Sequence, residues 1–496
     1  MSPIPDSWCD LVIRGGTVAT AGSSAGCDLG ITDGKISQIG GDLRGRRELD
    51  ASGAFVLPGG IDMHVHLSSS RLPTENHKPT DRPSPSENQN KTDQQEESFA
   101  PGPTTSAVPD WADDFASGSA AAIAGGITTF GNMTFPTPGG TLRSSLERDL
   151  NLAKAAAVDY VLHPVLIDPS QEALAELPQL AAAGHTSLKL FMTNAQFERN
   201  ADAMIEAVLL AGQNGMLTLI HCEDGALIRF ANQQLLAAGR GALADWAASR
   251  PVAAEQAAIE RAVAICELTG SPIYIVHLSS AAALTAARRG RARGLPVFVE
   301  ARPLYLYLTS VALAEPDGGK YIGAPPLREV DDVVALWSGL TDGSVDTLGS
   351  DHAPWKLEHK IDSSLDVTTA RQGVADLETM LPMLFSAGVL TGRLSLSRYI
   401  ALTSTNPAKL FGLFPRKGTI AVGSDADLIV LDPKVRRTID GATMQSKAGY
   451  STYDGTEVTG WPRFTISRGD VVLEDGQVTA EPGRGRWLHR GPTTAP

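Results

Sequence analysis

At 496 residues the chain is long enough for about three domains of typical size, or for one α/β barrel with smaller attachments. With 42% hydrophobic and 20% charged residues it has ample material for a core. Its 42 basic against 56 acidic residues leave a net charge of −14, which argues against non-specific nucleic-acid or anionic-membrane binding, both of which need a basic face.

The first 50 residues alternate in short apolar runs: Leu11–Ile13, Thr17–Ala19, Leu29–Ile31 and Ile36–Ile39. Gly15–Gly16 and Asp33–Gly34 punctuate them as hairpin turns. This piece is too short to close a core of its own. The same texture returns near the other end, in Gly418–Gly423, Ala426–Leu431, Phe464–Ser467 and Val471–Leu473, with Asp475–Gly476 as a turn. The two ends predict one β-sandwich assembled around a central insertion.

Within the centre, eight β-rich segments alternate with Ala- and Leu-rich helical stretches. The predicted strands are Ala54–Asp62, Thr128–Thr134, Tyr160–Ile167, Ser187–Met192, Leu217–His221, Ile273–His277, Val297–Glu300 and Val345–Leu348. Predicted helices include Trp111–Ala124 capped by Asp110, Ala201–Asn214, Ala253–Thr269 and Ala281–Arg293. Eight such alternations imply a parallel sheet closed into a (β/α)8 TIM barrel. The expected division is 1–55 and 416–482 for the two parts of the sandwich, 56–415 for the barrel, and 483–496 for a C-terminal tail. Ser68–Asp110 fits neither pattern: it holds seven prolines and only five hydrophobic residues. Such a segment buries too little to offset its ordering entropy, so a long mobile loop is expected, either a lid or a tolerated insertion.

Cys9, Cys27, Cys222 and Cys266 are too few and too scattered for a disulfide scaffold or a zinc ribbon. No run of about 18 apolar residues predicts a membrane span. The opening MSPIPDSWCD has neither the basic nor the apolar region of a secretory signal. A reduced, cytoplasmic protein without nucleic-acid or membrane partners is expected.

Six polar residues then stand out, because each follows an apolar run where a barrel strand opens into its loop. His64 and His66, spaced i and i+2, point to one side of the first strand. Lys189 sits inside Ser187–Met192, where an unpaired charge is expensive. His221, His277 and Asp351 close the fifth, sixth and eighth strand regions. Taken singly, each reads as a packed histidine, a snorkelling lysine or a capping aspartate. Together they converge on one mouth. Four imidazoles and a carboxylate suit zinc, with manganese, cobalt or iron as alternatives. An ammonium repels a cation, but the carbamate formed from lysine and carbon dioxide is an anion with two oxygens. It can bridge two metals about 3.5–4 Å apart, as in two-metal hydrolytic sites. The expected division is His64, His66 and Asp351 on one ion, His221 and His277 on the other, and carbamylated Lys189 on both.

The strings PGGIDMHVHL, SLKLFM, IHCED, IVHLSS, APPLRE and GSDHAP together resemble the cyclic amidohydrolases of the amidohydrolase superfamily. Thr403–Asp427 and Tyr453–Pro462 are similar to the dihydropyrimidinase/D-hydantoinase branch. This resemblance implies a binuclear zinc (β/α)8 barrel with a β-sandwich, usually a homotetramer (a homodimer being the other expectation), and all six ligand positions match. It implies hydrolysis of a cyclic amide or imide such as a hydantoin or dihydropyrimidine to an N-carbamoyl amino acid. Asp351 would serve as general base and then acid. Asn194 stands where the branch has a tyrosine that supports the oxyanion. Ala324 replaces a serine that binds substrate mainly through its backbone, and Gln372 replaces an asparagine that holds the ring amide. Allantoinase or dihydroorotase activity is the alternative, with Arg302 as candidate partner for a substrate carboxylate. A non-catalytic scaffold, as in dihydropyrimidinase-related proteins that have lost metal ligands, is the remote one. His352 reads as a supporting or a packing residue, His163 and His185 as structural, and Arg328 as a loop anchor.

Overall fold

The computed structural model describes residues 8–67, 110–137 and 139–496. Ser68–Asp110, expected to form the long loop, lies outside the described residues, Asp110 aside.

The predicted first strand divides in two. Phe55–Pro58 pairs with Leu428–Thr438 and Thr17–Ala19 in a sheet of the terminal segments. The barrel strand β1 begins at Gly60 and runs to Val65. The break falls at Gly59, where any side chain would collide with Thr128 of the next strand. The remaining barrel strands are β2 (Ile127–Thr134), β3 (Asp159–Pro164), β4 (Ser187–Phe191), β5 (Leu217–His221), β6 (Ile273–Ile275), β7 (Val297–Ala301) and β8 (Thr347–Leu348).

Every pairing among these eight is parallel, in the orders β3-β2-β1 and β4-β5-β6-β7-β8. Parallel bridges close both seams. Val165 pairs with Lys189, where the Leu166 N–H donates to the Lys189 carbonyl at 2.9 Å. Val65 pairs with His352, where the His66 N–H donates to the His352 carbonyl at 2.7 Å. All residues of β1 to β8 are buried, as expected for strands covered by side chains within and helices without.

One predicted helix starts late. It spans Phe115–Ala124 rather than Trp111–Ala124, and its cap is Asp114, not Asp110. The Asp114 carboxylate accepts from the Ala116 and Ser117 N–H groups, and the Ser117 hydroxyl accepts from the Asp114 N–H. With both halves of this capping box in place, the chain has no reason to start the helix earlier. Trp111 is thereby left outside it.

The terminal segments form two sheets. Four strands, in the order Lys35–Ile39, Leu29–Thr32, Cys9–Arg14 and Gly45–Asp50, face seven that include Thr17–Ala19, Phe55–Pro58, Leu428–Thr438 and Glu457–Ser467. Leu11, Ile31, Val56, Leu428, Val430 and Ile466 pack together in one core drawn from both termini. Asp33–Gly34 and Asp475–Gly476 make their predicted turns, all four residues at positive φ. Gly15–Gly16 does not form a hairpin: the chain passes there from one sheet to the other. Gly418–Gly423 is not a strand, although Ile420 still enters the core. The C-terminal segment packs beneath the barrel, with Trp487 bridged to Tyr160 and Leu488 buried.

Candidate active site

The barrel brings all six predicted groups to one end. His64 comes from β1 and His66 from the residue just after it, Lys189 from β4 and His221 from the last residue of β5. His277 lies two residues beyond β6, and Asp351 three beyond β8. Both of these take left-handed backbone, at φ 39° and 49°, a strained conformation for residues other than glycine that concentrates at functional sites. None of the six is more than 7% exposed.

Two subsets emerge. Asp351 Oδ1 lies 3.2 Å from His64 Nε2 and 3.0 Å from His66 Nε2. His221 Nδ1 lies 2.9 Å from His277 Nε2. The subsets adjoin, since potential ligand atoms of His64, His277 and Asp351 all fall within 4.8 Å of one another. The Lys189 ammonium stands 4.6 Å over the Phe191 ring and, among the described residues, has no hydrogen-bond partner. Burial brings its pKa down to about 8.

Two acids that sequence reasoning passed over set the imidazole tautomers. Glu300, at the end of β7, accepts from His64 Nδ1 at 2.7 Å, from the Tyr274 hydroxyl at 2.8 Å and from the His277 N–H at 2.9 Å. Glu223 accepts from His221 Nε2 and from Arg250, each at 2.8 Å. Burial opposes its ionisation, yet Arg250 and His221 hold it near pH 2. With the proton placed on the outer nitrogen, each ring turns a lone pair inward. Burial also drives His66 down to about 4 and His277 well below its ordinary value, so both are neutral near pH 7. Inward lone pairs, a carboxylate oxygen and a lysine without a hydrogen-bond partner among the described residues are the donor chemistry of a cation site. The signal for Glu300 was the one that exposed Lys189, a charged residue at the end of an apolar strand.

Arg302 corrects the sequence reading. It is fully buried, with Nη1 2.9 Å from Asp351 Oδ2 and Nε donating to the Ser350 carbonyl. It is engaged with the carboxylate of its own chain and is not presented to a ligand. Burial would push the Asp351 carboxyl up, but Arg302, His64 and His66 hold it well below the usual carboxylate range.

Of the three predicted substrate contacts, Ala324 and Gln372 line the cavity above the histidines. Asn194 does not line it: its side-chain oxygen accepts from the Gln196 N–H at 2.8 Å and caps the short helix Ala195–Arg199. The sequence reading also missed the aromatic wall. The Trp111 ring lies 5.2 Å from that of His66 and 6.0 Å from Phe135, and Phe135 lies 5.7 Å from Phe191. His352 turns away from Asp351, with Nε2 on Asp113 at 3.0 Å and Nδ1 accepting from the Asp376 N–H. His163 bonds Ser187 and His185 packs on Trp487. Arg328 ties its loop to the Arg250 carbonyl and to Ser279.

Residues 55–472 match the model of the amidohydrolase family. The chain belongs to that family. This amidohydrolase is 34% identical over 487 residues to a D-hydantoinase of Ralstonia pickettii, covering 97% of this chain and 99% of the relative. A solved D-hydantoinase structure superposes with a TM-score of 0.87 at 34% identity, over 97% of this chain and 99% of that one. A dihydropyrimidinase from Brevibacillus agri NCHU1002 gives a TM-score of 0.84 at 32% identity, over 98% and 99%. Among the described residues, no helix is long and apolar enough to cross a membrane.

Proposed function

We propose that this amidohydrolase is a metal-dependent hydrolase that opens a cyclic amide or imide of the hydantoin or dihydropyrimidine type to an N-carbamoyl amino acid. The observation that carries the reading is the convergence at one end of the barrel of four inward-facing imidazoles, Asp351 and a buried Lys189 that has no hydrogen-bond partner among the described residues. Its hydantoinase and dihydropyrimidinase relatives support the substrate class.

His64, His66 and Asp351 would hold one divalent ion and His221 and His277 a second, zinc being the best match to imidazole donors. Lys189, as its carbamate, would join the two sets. When bound, such ions supply Lewis acidity and a water acidic enough to be a nucleophile near neutral pH. The chain's own residues do the rest. Arg302 grips Asp351 Oδ2 and leaves Oδ1 facing the histidines. Asp351 removes the proton of the attacking water and returns it to the leaving ring nitrogen. Phe191 and Trp111 line the cavity, with the Phe135 ring packed against both.

The dihydroorotase alternative loses support, because the arginine that would meet a substrate carboxylate is committed to Asp351. A homotetramer or homodimer is part of the proposal, to be read from scattering mass. Four unpaired cysteines support a reducing compartment such as the cytoplasm.

A panel of dihydrouracil, hydantoin, phenylhydantoin, allantoin and dihydroorotate, run beside metal analysis, tests the reading. About two divalent ions per chain and turnover of hydantoin or dihydrouracil are expected. Fewer than one ion after metal-replete expression, or no turnover by fully loaded protein, overturns it.

A further inference from the structure

The C-terminal segment carries a cation into the floor of the barrel with no carboxylate to meet it. Backbone bonds seat the segment on both sides of Arg490. The Leu488 N–H donates to the Tyr160 carbonyl at 2.9 Å, and the Gly491 N–H donates to the Gly412 carbonyl at 3.0 Å. Gly412 stands at φ 69°, and a Cβ there would strike the Gly491 carbonyl, so the close approach of the two segments is a built one. Between these ties the Arg490 side chain is buried, at 2% exposure.

All its contacts are neutral. Arg490 Nη2 donates to the hydroxyl of Ser187, the first residue of β4, at 2.8 Å, and more weakly to the Leu162 carbonyl of β3 at 3.4 Å. A guanidinium only donates, so Ser187 accepts here, and its own hydrogen is free for His163 Nδ1 at 2.7 Å. Burial and the Arg490 charge hold His163 well below its ordinary pKa and His185 at about 4, so neither ring is charged near pH 7. Among the described residues, Arg490 Nη1 has no hydrogen-bond partner and no acid is paired with the guanidinium. The other buried arginines differ. Arg250 faces Glu223 at 2.8 Å, Arg302 faces Asp351 at 2.9 Å and Arg328 faces Glu255 at 3.6 Å. An arginine does not escape the cost of burial by losing its proton, as lysine and histidine do. Burial brings Arg490 down only to about 9, so its charge persists near neutral pH. A buried charge of this kind calls for an opposite one.

We propose that Arg490 Nη1 holds a small monovalent inorganic anion of the halide class in the floor of the barrel. Such an anion supplies the negative charge that the chain omits. It brings no hydrogens that would need acceptors of their own, whereas water would leave the guanidinium uncompensated. Ser187 and Lys189 lie two residues apart on one side of β4, so the anion closes the barrel beneath the metal-binding end and fastens the C-terminal segment there.

The test uses full-length, metal-loaded protein with halide as the probe. Crystals grown with bromide as the sole halide should show an anomalous-scattering peak beside Arg490 Nη1. In solution at constant ionic strength, chloride replacing gluconate, which is too large for a buried site, should raise the unfolding midpoint. A rise of about 2 °C between roughly 1 and 100 mM is expected from ligand linkage. Arg490→Met keeps an apolar stem and removes the guanidinium. Its midpoint should ignore chloride and its peak should vanish, with metal content unchanged. Both wild-type readings stand even if the variant does not fold. Absence of the peak, a wild-type midpoint indifferent to chloride, or a chloride response that persists in Arg490→Met each overturns the proposal. None of these readings uses turnover, so their failure leaves the hydrolase reading untouched.

Discussion

Lys189 carries a clear electrostatic cost at the site. It is fully buried in β4 without a hydrogen-bond partner among the described residues, and burial alone would make it a destabilising choice for a strand. Carbamylation, as proposed above, would turn that cost into an anion between the two histidine subsets. Lys189→Ala should therefore lose both metals and all turnover, and a short carboxylic acid should restore part of each. Intact-mass analysis of loaded wild type should show one added carbon dioxide; an unmodified lysine in active, metal-loaded protein would remove this role. At this scale the six converging residues were legible because a polar or charged group inside or just after an apolar run is conspicuous. At Asn194 and Arg302 the sequence shows a residue's chemistry but not its local partner. For Asn194 that partner is the Gln196 N–H, and for Arg302 it is the carboxylate of Asp351.

Between Asp351 and Gly373 the chain builds one wall of the cavity around a single side chain. Lys360 is 1% exposed, and its Nζ donates to the carbonyls of Ile322, Arg371 and Gly373 at 2.6–2.7 Å. Burial presses its pKa well down, yet three accepting carbonyls call for three N–H groups, which only the ammonium offers. It thus fastens the segment before Ala324 to the turn bearing Gln372. Lys360→Met keeps the stem and strands three carbonyls. Its stability should fall by roughly 2–4 kcal/mol. Its KM should rise several-fold while metal content holds, which denaturation and steady-state kinetics would show; unchanged stability would remove Lys360 from this role. Elements such as this are poorly legible because no periodicity marks a loop. The strands were legible to within a few residues, except where geometry intervened. Gly59 cut one predicted strand in two because Thr128 lies against it, and His277 left β6 early by turning to positive φ.

Across the whole molecule, the opposite end of the barrel from the active site is tied to the terminal segments by charge. Lys417 is buried with its ammonium on Asp159 of β3 at 2.7 Å, on Asp425 at 3.2 Å and on Asp427. Arg468 reaches the second oxygen of Asp159 at 3.2 Å, and Lys35, from the N-terminal strands, reaches Asp425. Three clustered carboxylates could hold a metal, but here the cation is the protein's own lysine. No reading of the sequence could assemble this cluster, since Lys35 and its partner Asp425 alone lie 390 residues apart. Lys417→Met should leave the buried Asp427 without its cation, and Asp159 and Asp425 with only Arg468, Lys35 and Arg416 beside them, and should cost about 3–5 kcal/mol. The sign of its pH dependence follows from linkage. In the wild type the carboxylates raise the Lys417 pKa, so its contribution is complete below the ordinary 10.5 and fades only as pH climbs above it. In the variant the less compensated carboxylates hold protons more tightly folded than unfolded, so folding is penalised increasingly as pH rises above about 4. The gap between the unfolding midpoints of variant and wild type should thus be wide at pH 7–9 and shrink towards pH 4. Metal content should stay at the wild-type level, because this cluster touches none of the six site residues. A gap independent of pH would mean that Lys417 acts through packing, and loss of metal would mean that the two ends of the barrel are coupled.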